Sequence, residues 1–401
     1  MDILFFGLAC NEKTFEKYIE KNTNPYSVAH YIFETELINQ LENFFKIDHN
    51  YIFQMKNKKI HNSLVHKKIE NITEKTLTKH INYLNLPVLN YITIFISTFI
   101  RIFSYSRKNK NFIIISSINY LPVALATIIS SKLLKKDNVI IFTDCSTGNA
   151  YTIKNRNIIK NFFIKINKKI IEFCENSYDY YVLFSEPMNE IVNKKKKPFC
   201  VMEGFLNQKD LNLERVEKFS EFTVMYAGSI IEDLGLENLI ESVKEIPNAK
   251  LYIVGEGSLK DKLKNENMNY DNIIFVDFMN RKELFNLEKK VSLLANVRDP
   301  RLEYTKYSFP SKTFEYLVSN TPFLSTKLEC YSAEYDDIIF FIDNNQPLTI
   351  KNKIIDIMQA DKKYINKYVE NAKNYILENK NSKVQTSKII NFINEVILYE
   401  E

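Results

Sequence analysis

Short runs of apolar, β-branched residues alternate along the whole chain with longer segments in which apolar residues recur every three or four positions. Runs of the first kind read as strands buried on both faces and segments of the second kind as covering helices, so the pattern predicts an α/β fold with parallel sheets. In the first half, strands are predicted at 3–6, 51–54, 112–116, 139–142 and 181–184, with helices over 27–45, 86–107, 121–134 and 156–173. In the second half, strands fall at 222–227, 250–254, 272–276, 291–295 and 322–325, with helices between them. Two doubly wound domains follow, divided where EGFLNQKDLNLERVEKFSE, near 203–220, lacks sustained periodicity. A last helix, about 382–399, carries Val384, Ile389, Ile390, Phe392, Ile393, Val396 and Ile397 and is expected to dock back on the first domain. The expected organisation is 1–203 together with 382–401, and 204–381.

The 401 residues suffice for two α/β domains without covalent staples. The five cysteines, Cys10, Cys145, Cys174, Cys200 and Cys330, form no C-x-x-C pair and lie far from histidines that could complete a zinc site, as suits a reducing compartment. MDILFFGLAC lacks a basic n-region and is not expected to act as a signal peptide. Residues 86–103, LPVLNYITIFISTFIRIF, are the best candidate for a membrane span but carry Pro87 and Arg101, and read first as a buried helix and second as one that dips into a membrane. A cytoplasmic location is expected.

Charge divides the chain unevenly. Residues 1–200 hold 28 Lys and Arg against 17 Asp and Glu, whereas residues 201–401 hold 26 against 32. The basic first half is suited to an anionic partner, either a membrane surface or a phosphate-bearing acceptor, and is equally compatible with lysines scattered over solvated faces. No nucleic-acid-binding motif accompanies the lysines, and no nucleic-acid partner is expected.

In an open parallel sheet, ligands collect beyond the carboxyl ends of the strands, where loops turn into helix N-termini. Three such places stand out: Gly228-Ser229 after FTVMYA, Gly255-Glu256-Gly257 after KLYIV, and Asn296 with Arg298 after SLLA, followed by YSFPSKTFEYL. Glycine at a strand end admits an anion close to the backbone, so a diphosphate is the natural guest, although each glycine alone also reads as a turn. In YSFPSKTFEYL, Ser311, Lys312 and Glu315 share one face, where a cation and a carboxylate would flank a ligand or simply form a helix ion pair.

Taken in order, MYAGSIIEDLGLENLIESV, KLYIVGEG, NIIFVDF, LLANVRDP and YSFPSKTFEYLVSNTPFLST resemble the C-terminal domain of the family 4 (group 1) retaining glycosyltransferases, over roughly 220–345. The N-terminal segments NPYSVAHY, FTDCSTGNAY and YYVLFSEPMNEIVNKKKKPFCVMEG look like a bacterial branch that builds capsular polysaccharide or exopolysaccharide. The resemblance implies a GT-B fold, two Rossmann-like domains facing across a cleft, and a donor nucleotide-sugar, UDP-linked, held by the second. It implies that backbone amides of Gly228 and Ser229 meet the diphosphate, Glu315 the ribose hydroxyls, and the loop of Asp277 and Phe278 the base. Gly255, Asn296, Tyr307, Ser308, Ser311 and Lys312 complete the implied donor site.

Two departures qualify the likeness. The first glutamate of the family's Glu-x7-Glu pattern is Tyr307 here, and no basic residue lies between Gly228 and Gly235. Lys312 and Arg298 are the candidates to neutralise the leaving diphosphate. No Asp-x-Asp occurs, so no metal or other cofactor is expected. The resemblance implies transfer of a hexose or N-acetylhexosamine with retention, to a saccharide acceptor linked to a lipid diphosphate. On the acceptor side the candidates are Asp144, after the strand VIIFT, and His30, beyond the Asn24-Pro25 turn; a helix cap and a packed polar residue are their plain alternatives. The basic amphipathic KNRNIIKNFFIKINKKI is the candidate for peripheral contact with anionic membrane. Two other functions fit the same pattern: a non-catalytic partner subunit, motivated by Tyr307, and a GT-B-fold sugar-nucleotide epimerase, disfavoured because all five histidines precede residue 81.

Overall fold

The computed structural model describes all residues except 22–27, 53–68, 74, 85, 87, 145–157, 210, 278 and 398–401. The chain divides into two compact units, Met1–Asn207 with Ser382–Glu401, and Gln208–Asn381.

The first unit runs β1 (Asp2–Gly7), α1 (Glu12–Lys21), α2 (Val28–Leu41), β2 (Lys46–Tyr51), β3 (Ile69–Asn71), β4 (Leu77–His80), α3 (Leu89–Lys108), β5 (Phe112–Ser116), α4 (Leu121–Leu134), β6 (Asn138–Phe142), α5 (Ile158–Glu175), β7 (Tyr180–Leu183), α6 (Met188–Val192) and β8 (Phe199–Val201). Its sheet has the order β3-β4-β2-β1-β5-β6-β7-β8, parallel except where β3 meets β4. Side chains alternate across the sheet, and both faces are apolar. Ile3 and Phe5 of β1 point to one face and pack with Phe33, Leu37, Ile38 and Leu41 of α2. Leu4 and Phe6 point to the other and pack with Ile94 and Ile102 of α3 and Val123 of α4.

The second unit runs β9 (Phe222–Ala227), α7 (Leu236–Lys244), β10 (Ala249–Val254), α8 (Lys260–Glu266), β11 (Ile273–Val276), α9 (Arg281–Lys290), β12 (Leu293–Asn296), α10 (Thr313–Val318), β13 (Phe323–Thr326), β14 (Phe340–Ile342), α11 (Pro347–Gln359) and α12 (Lys362–Asn379). Its sheet is parallel in the order β11-β10-β9-β12-β13-β14. The final helix, α13 (Ser382–Phe392), belongs to the first unit, where Ile389, Ile390, Phe392 and Ile393 join the core beside α2, as its apolar stripe predicts.

Strand order reverses direction between β1 and β5 in one unit and between β9 and β12 in the other. Adjacent loops leave such a switch point on opposite faces of the sheet and open a crevice there, which is where ligands of doubly wound sheets bind.

The apolar stretch 86–103 does not form a fully buried helix. On α3 only Ile94, Thr98, Ile102 and Tyr105 are buried, whereas Leu89, Ile92, Ile96 and Ile100 are exposed. Among the described residues no helix is long and apolar enough to cross a membrane.

Candidate functional site

At the switch point of the second unit, the loops after β9 and β10 lie against each other. Gly255 has φ +153, and a Cβ there would stand 1.8 Å from the Gly228 carbonyl oxygen, so both conformation and contact require glycine. Gly257 is as confined, its Cβ position 2.1 Å from the Ile230 oxygen. The Gly228 amide donates to Val254 O at 3.0 Å. Ser229, exposed, makes no backbone amide bond of this kind among the described residues. Gly235, at φ +78, ends the loop, packs on the Val297 carbonyl and starts α7.

Tyr316 of α10 ties this loop to the segment that follows β12. Its buried hydroxyl accepts from Ala227 N–H at 3.0 Å and donates to Ala227 O at 3.2 Å. The preceding residue on α10 is Glu315. Its Oε1 accepts from Arg281 Nε at 2.8 Å and its Oε2 from Lys312 Nζ at 2.6 Å. Burial would raise the Glu315 pKa, but Lys312 and Arg281 outweigh it and hold the carboxyl below its usual range. Lys312 also reaches Glu288 Oε1 at 3.4 Å, so its ammonium is turned to two carboxylates. Glu288 is fully buried, its Oε2 has no partner, and burial pushes its pKa to about 7.

Arg298 differs. It lies just beyond β12, on the other side of the switch, and among the described residues no carboxylate pairs with it; its Nε is buried with no partner. Its charge acts on the phenols of Tyr226, Tyr304 and Tyr331, and burial nevertheless raises Tyr226 to about 12. Tyr304 in turn donates to the carbonyl of Asp233 in the β9–α7 loop at 2.8 Å. A guanidinium with no carboxylate partner among the described residues thus belongs to a residue whose backbone lies against Gly235, at the end of the loop that lacks a basic residue of its own.

Around these groups, Asn296 is buried with its carbonyl bonded by Ser325 Oγ at 3.0 Å, Ser308 N–H is bound to Tyr304 O, Ser311 is exposed, and Asp277 is exposed beyond β11. Phe278 lies outside the described residues. Tyr307 is buried and donates to Glu303 Oε1 at 2.6 Å, so a carboxylate stands beside the position where the resemblance leads one to expect it. Pro310 lies before α10, in the turn closed by Thr313 N–H on its carbonyl.

In the first unit, the structure brings His30 and Asp144 to one edge. His30 Nδ1 is 3.4 Å from Thr143 Oγ1, and Asp144 follows as an exposed residue past β6. His30 Nε2 is 3.4 Å from Glu34, a residue the sequence reading passed over. Glu34 is fully buried at the switch between β1 and β5, receiving Leu8 N–H at 2.9 Å, Ala9 N–H at 2.7 Å, Ser117 O–H at 2.5 Å and His49 Nε2 at 3.0 Å. A Cβ on Gly7 would stand 2.0 Å from Glu34 Oε1. Its signal in the sequence was a carboxylate three and four positions before Leu37 and Ile38, on the apolar face of α2. Arg281 was missed too; its signal was the capping box of Asn280 and Glu283, which fixes it in the first turn of α9.

Comparison with known proteins agrees with this layout. Residues 209–375 match the family of glycosyl transferases group 1. That segment falls within the second unit and contains every side chain and glycine of that unit discussed above. Among solved structures, sucrose-phosphate synthase from Thermosynechococcus elongatus superposes with TM-score 0.69 at 10% identity, with 100% of each chain covered. HepE from Anabaena, in complex with UDP, gives TM-score 0.65 at 11% identity over 99% of this chain and 100% of that one. A glycosyltransferase from Rickettsia africae gives 0.65 at 12% identity over 99% and 98%. At these identities the likeness establishes the fold, two Rossmann-like α/β halves of the GT-B type. No curated protein matches the sequence.

Proposed function

We propose that the chain is a glycosyltransferase that moves a hexose or N-acetylhexosamine from a UDP-sugar to a saccharide acceptor linked to a lipid diphosphate, with retention and without a metal ion. The observation that carries this reading is that the segment after β12 holds both an ionised Glu315 and an Arg298 with no carboxylate partner among the described residues. An ionised carboxylate offers about four lone-pair positions, and Arg281 and Lys312 use two of Glu315's, so two remain for a cis-diol such as a ribose. Arg298 and the Ser229 amide meet the diphosphate, whose charge grows as the sugar leaves, and fixed donors there lower the barrier. Lys312 serves by holding Glu315 in place. Asp277 is assigned to the base, and Gly228, Gly255, Asn296, Tyr307, Ser308 and Ser311 to the walls of the donor site.

The acceptor side is assigned to His30 and Asp144, and the setting to surface polysaccharide synthesis at the cytoplasmic face of the membrane. The UDP, UDP-glucose, and UDP with glucose found with HepE support the choice of donor class. The reading as a non-catalytic partner drew on Tyr307, and the Glu303 carboxylate bonded to that phenol weakens it.

Purified chain incubated with UDP-glucose, UDP-galactose or UDP-N-acetylglucosamine in EDTA is expected to release UDP from one of them, slowly by hydrolysis and faster with saccharide acceptor. Release that requires added divalent metal would remove the metal-free mechanism, and release from none would favour the partner-subunit reading.

A further inference from the structure

The face of the first unit formed by α3 and α4 has a composition unlike the rest of the chain. Residues 81–136 contain seven Lys or Arg and no Asp or Glu. Along α3, Leu89, Ile92, Ile96 and Ile100 follow one another at three- and four-residue spacing and all are exposed, Ile100 by 60%. Phe103 continues that face, stacked on Phe99 with ring centroids 4.5 Å apart, and the exposed Arg107 ends it. α4, packed against α3, adds exposed Ile129 and Leu133. Single exposed apolar residues are ordinary on a protein surface, but a continuous stripe over most of a 20-residue helix is not.

Beside the last turns of α3 lies a cavity of about 630 Å³, on the edge of the sheet opposite the His30 and Asp144 site, at the amino ends of β2 and β4. Its lining includes Lys46, Lys75, Lys79, Arg101 and Lys108 against Glu42 and Asp48. Both acids are engaged within the unit, Glu42 by Thr76 Oγ1 at 2.8 Å and Asp48 by Lys79 at 2.7 Å and by Arg101. Among the described residues no carboxylate pairs with Lys46 or Lys108. The cavity therefore offers uncompensated positive charge next to an apolar stripe.

We propose that the α3 face is the docking surface of this protein for an anionic lipid bilayer, with the stripe lying among the acyl chains and the cavity taking a phosphate headgroup. Charge complementarity selects this occupant. A stretch with seven cations and no acid, four of them on the two helices, suits a partner that is apolar and uniformly negative, whereas a protein partner or a second copy presents mixed charge. The binding is interfacial, with α3 parallel to the membrane plane. It involves none of the donor-site residues.

The test is co-sedimentation of the full chain with vesicles of phosphatidylcholine alone or mixed with phosphatidylglycerol. Donor and acceptor are left out, so the result is separate from the transferase assignment. Binding is expected only to the mixed vesicles, weakening with salt. Ile96→Asp with Ile100→Asp should lower it by about tenfold or more, and Lys46→Ala and Lys108→Ala by about fivefold each, the effect of one cation near a charged surface. All four positions line a surface or a cavity, so unchanged melting temperatures should accompany the loss. Equal binding to both vesicle types, no binding, or full binding by the Ile96→Asp/Ile100→Asp variant would each overturn the proposal. So would a dimer in light scattering that the same variant dissociates, or inorganic phosphate binding without vesicle binding.

Discussion

Replacing Arg298 by alanine is expected to lower turnover by about 10² to 10³-fold at saturating donor, the usual loss when a donor aimed at developing charge is removed. The expectation follows from what Arg298 does not do. It balances no carboxylate among the described residues, and its buried Nε has no partner, so its removal unpairs no charge and should leave the melting temperature nearly unchanged. Lys312 cannot take over, because its ammonium is held between Glu288 and Glu315. Arg298→Lys should recover only part of the rate, since a point charge on a flexible stem does not reproduce a fixed planar fork. Initial rates of UDP release measure both variants. A loss under about threefold in Arg298→Ala would remove this residue from the transition state.

Glu34→Ala should destabilise the first unit by about 3 to 5 kcal/mol, because it strips a buried charge from donors that have no other acceptor. The Leu8 and Ala9 amides, the Ser117 hydroxyl and His49 Nε2 would all be left facing a cavity at the switch point. His49 Nδ1 lies 2.6 Å from Thr78 Oγ1; a hydroxyl donating there puts the ring proton on Nε2, toward Glu34. Burial would raise the Glu34 pKa, and the bonds from His30 and His49 reverse that and depress it well below the carboxylate range. The sign for stability follows. A carboxyl whose pKa is lower in the folded chain contributes fully above its unfolded value, and its contribution is lost as pH falls below about 4.5. Calorimetry should show the wild type losing stability on acidification in that range and Glu34→Gln, already destabilised, losing less. A cost below about 1 kcal/mol in Glu34→Ala would mean the network is replaced by water at no loss.

These two residues also mark where reading the sequence succeeds and where it does not. Strand β5 and helix α4 fall where their hydrophobic pattern places them, because both lie in the middle of a sheet or against it and most of their buried residues are apolar, the rest being small Ser and Thr. Strand β2 does not. Its sequence KIDHNY is mostly polar, and the pattern places a strand later, at 51–54, because Asp48, His49 and Asn50 are half-buried or buried by virtue of partners far along the chain. Asp48 meets Lys79 and Arg101, and His49 meets Glu34 and Thr78. Hydropathy cannot register a polar residue whose burial is compensated by a residue it has yet to meet. Strand β3, three residues paired antiparallel at the sheet's edge, is too short to have a period.

The residues proposed for the donor side are brought together by sequence reading for the opposite reason. Gly228, Gly255, Arg298 and Glu315 sit at strand ends and in one short segment, so local spacing carries their arrangement. What spacing could not supply was the choice between Arg298 and Lys312 as the cation proposed for the diphosphate. That choice depends on Glu288 and Arg281, which approach Glu315 and Lys312 from α9. Nor could it foresee that Val254 takes the Gly228 amide.

The measurement that bears most directly on the central claim is a melting curve of the wild type and Glu315→Ala with UDP, GDP and ADP, each variant compared with its own unliganded curve. A nucleotide that binds only the folded protein adds about 2.7 kcal/mol at one hundred times its dissociation constant, enough for a shift of several degrees. The account predicts a shift with UDP in the wild type, little with GDP or ADP, and none with UDP in Glu315→Ala. No shift with any nucleotide in the wild type, or an equal UDP shift in Glu315→Ala, would contradict it.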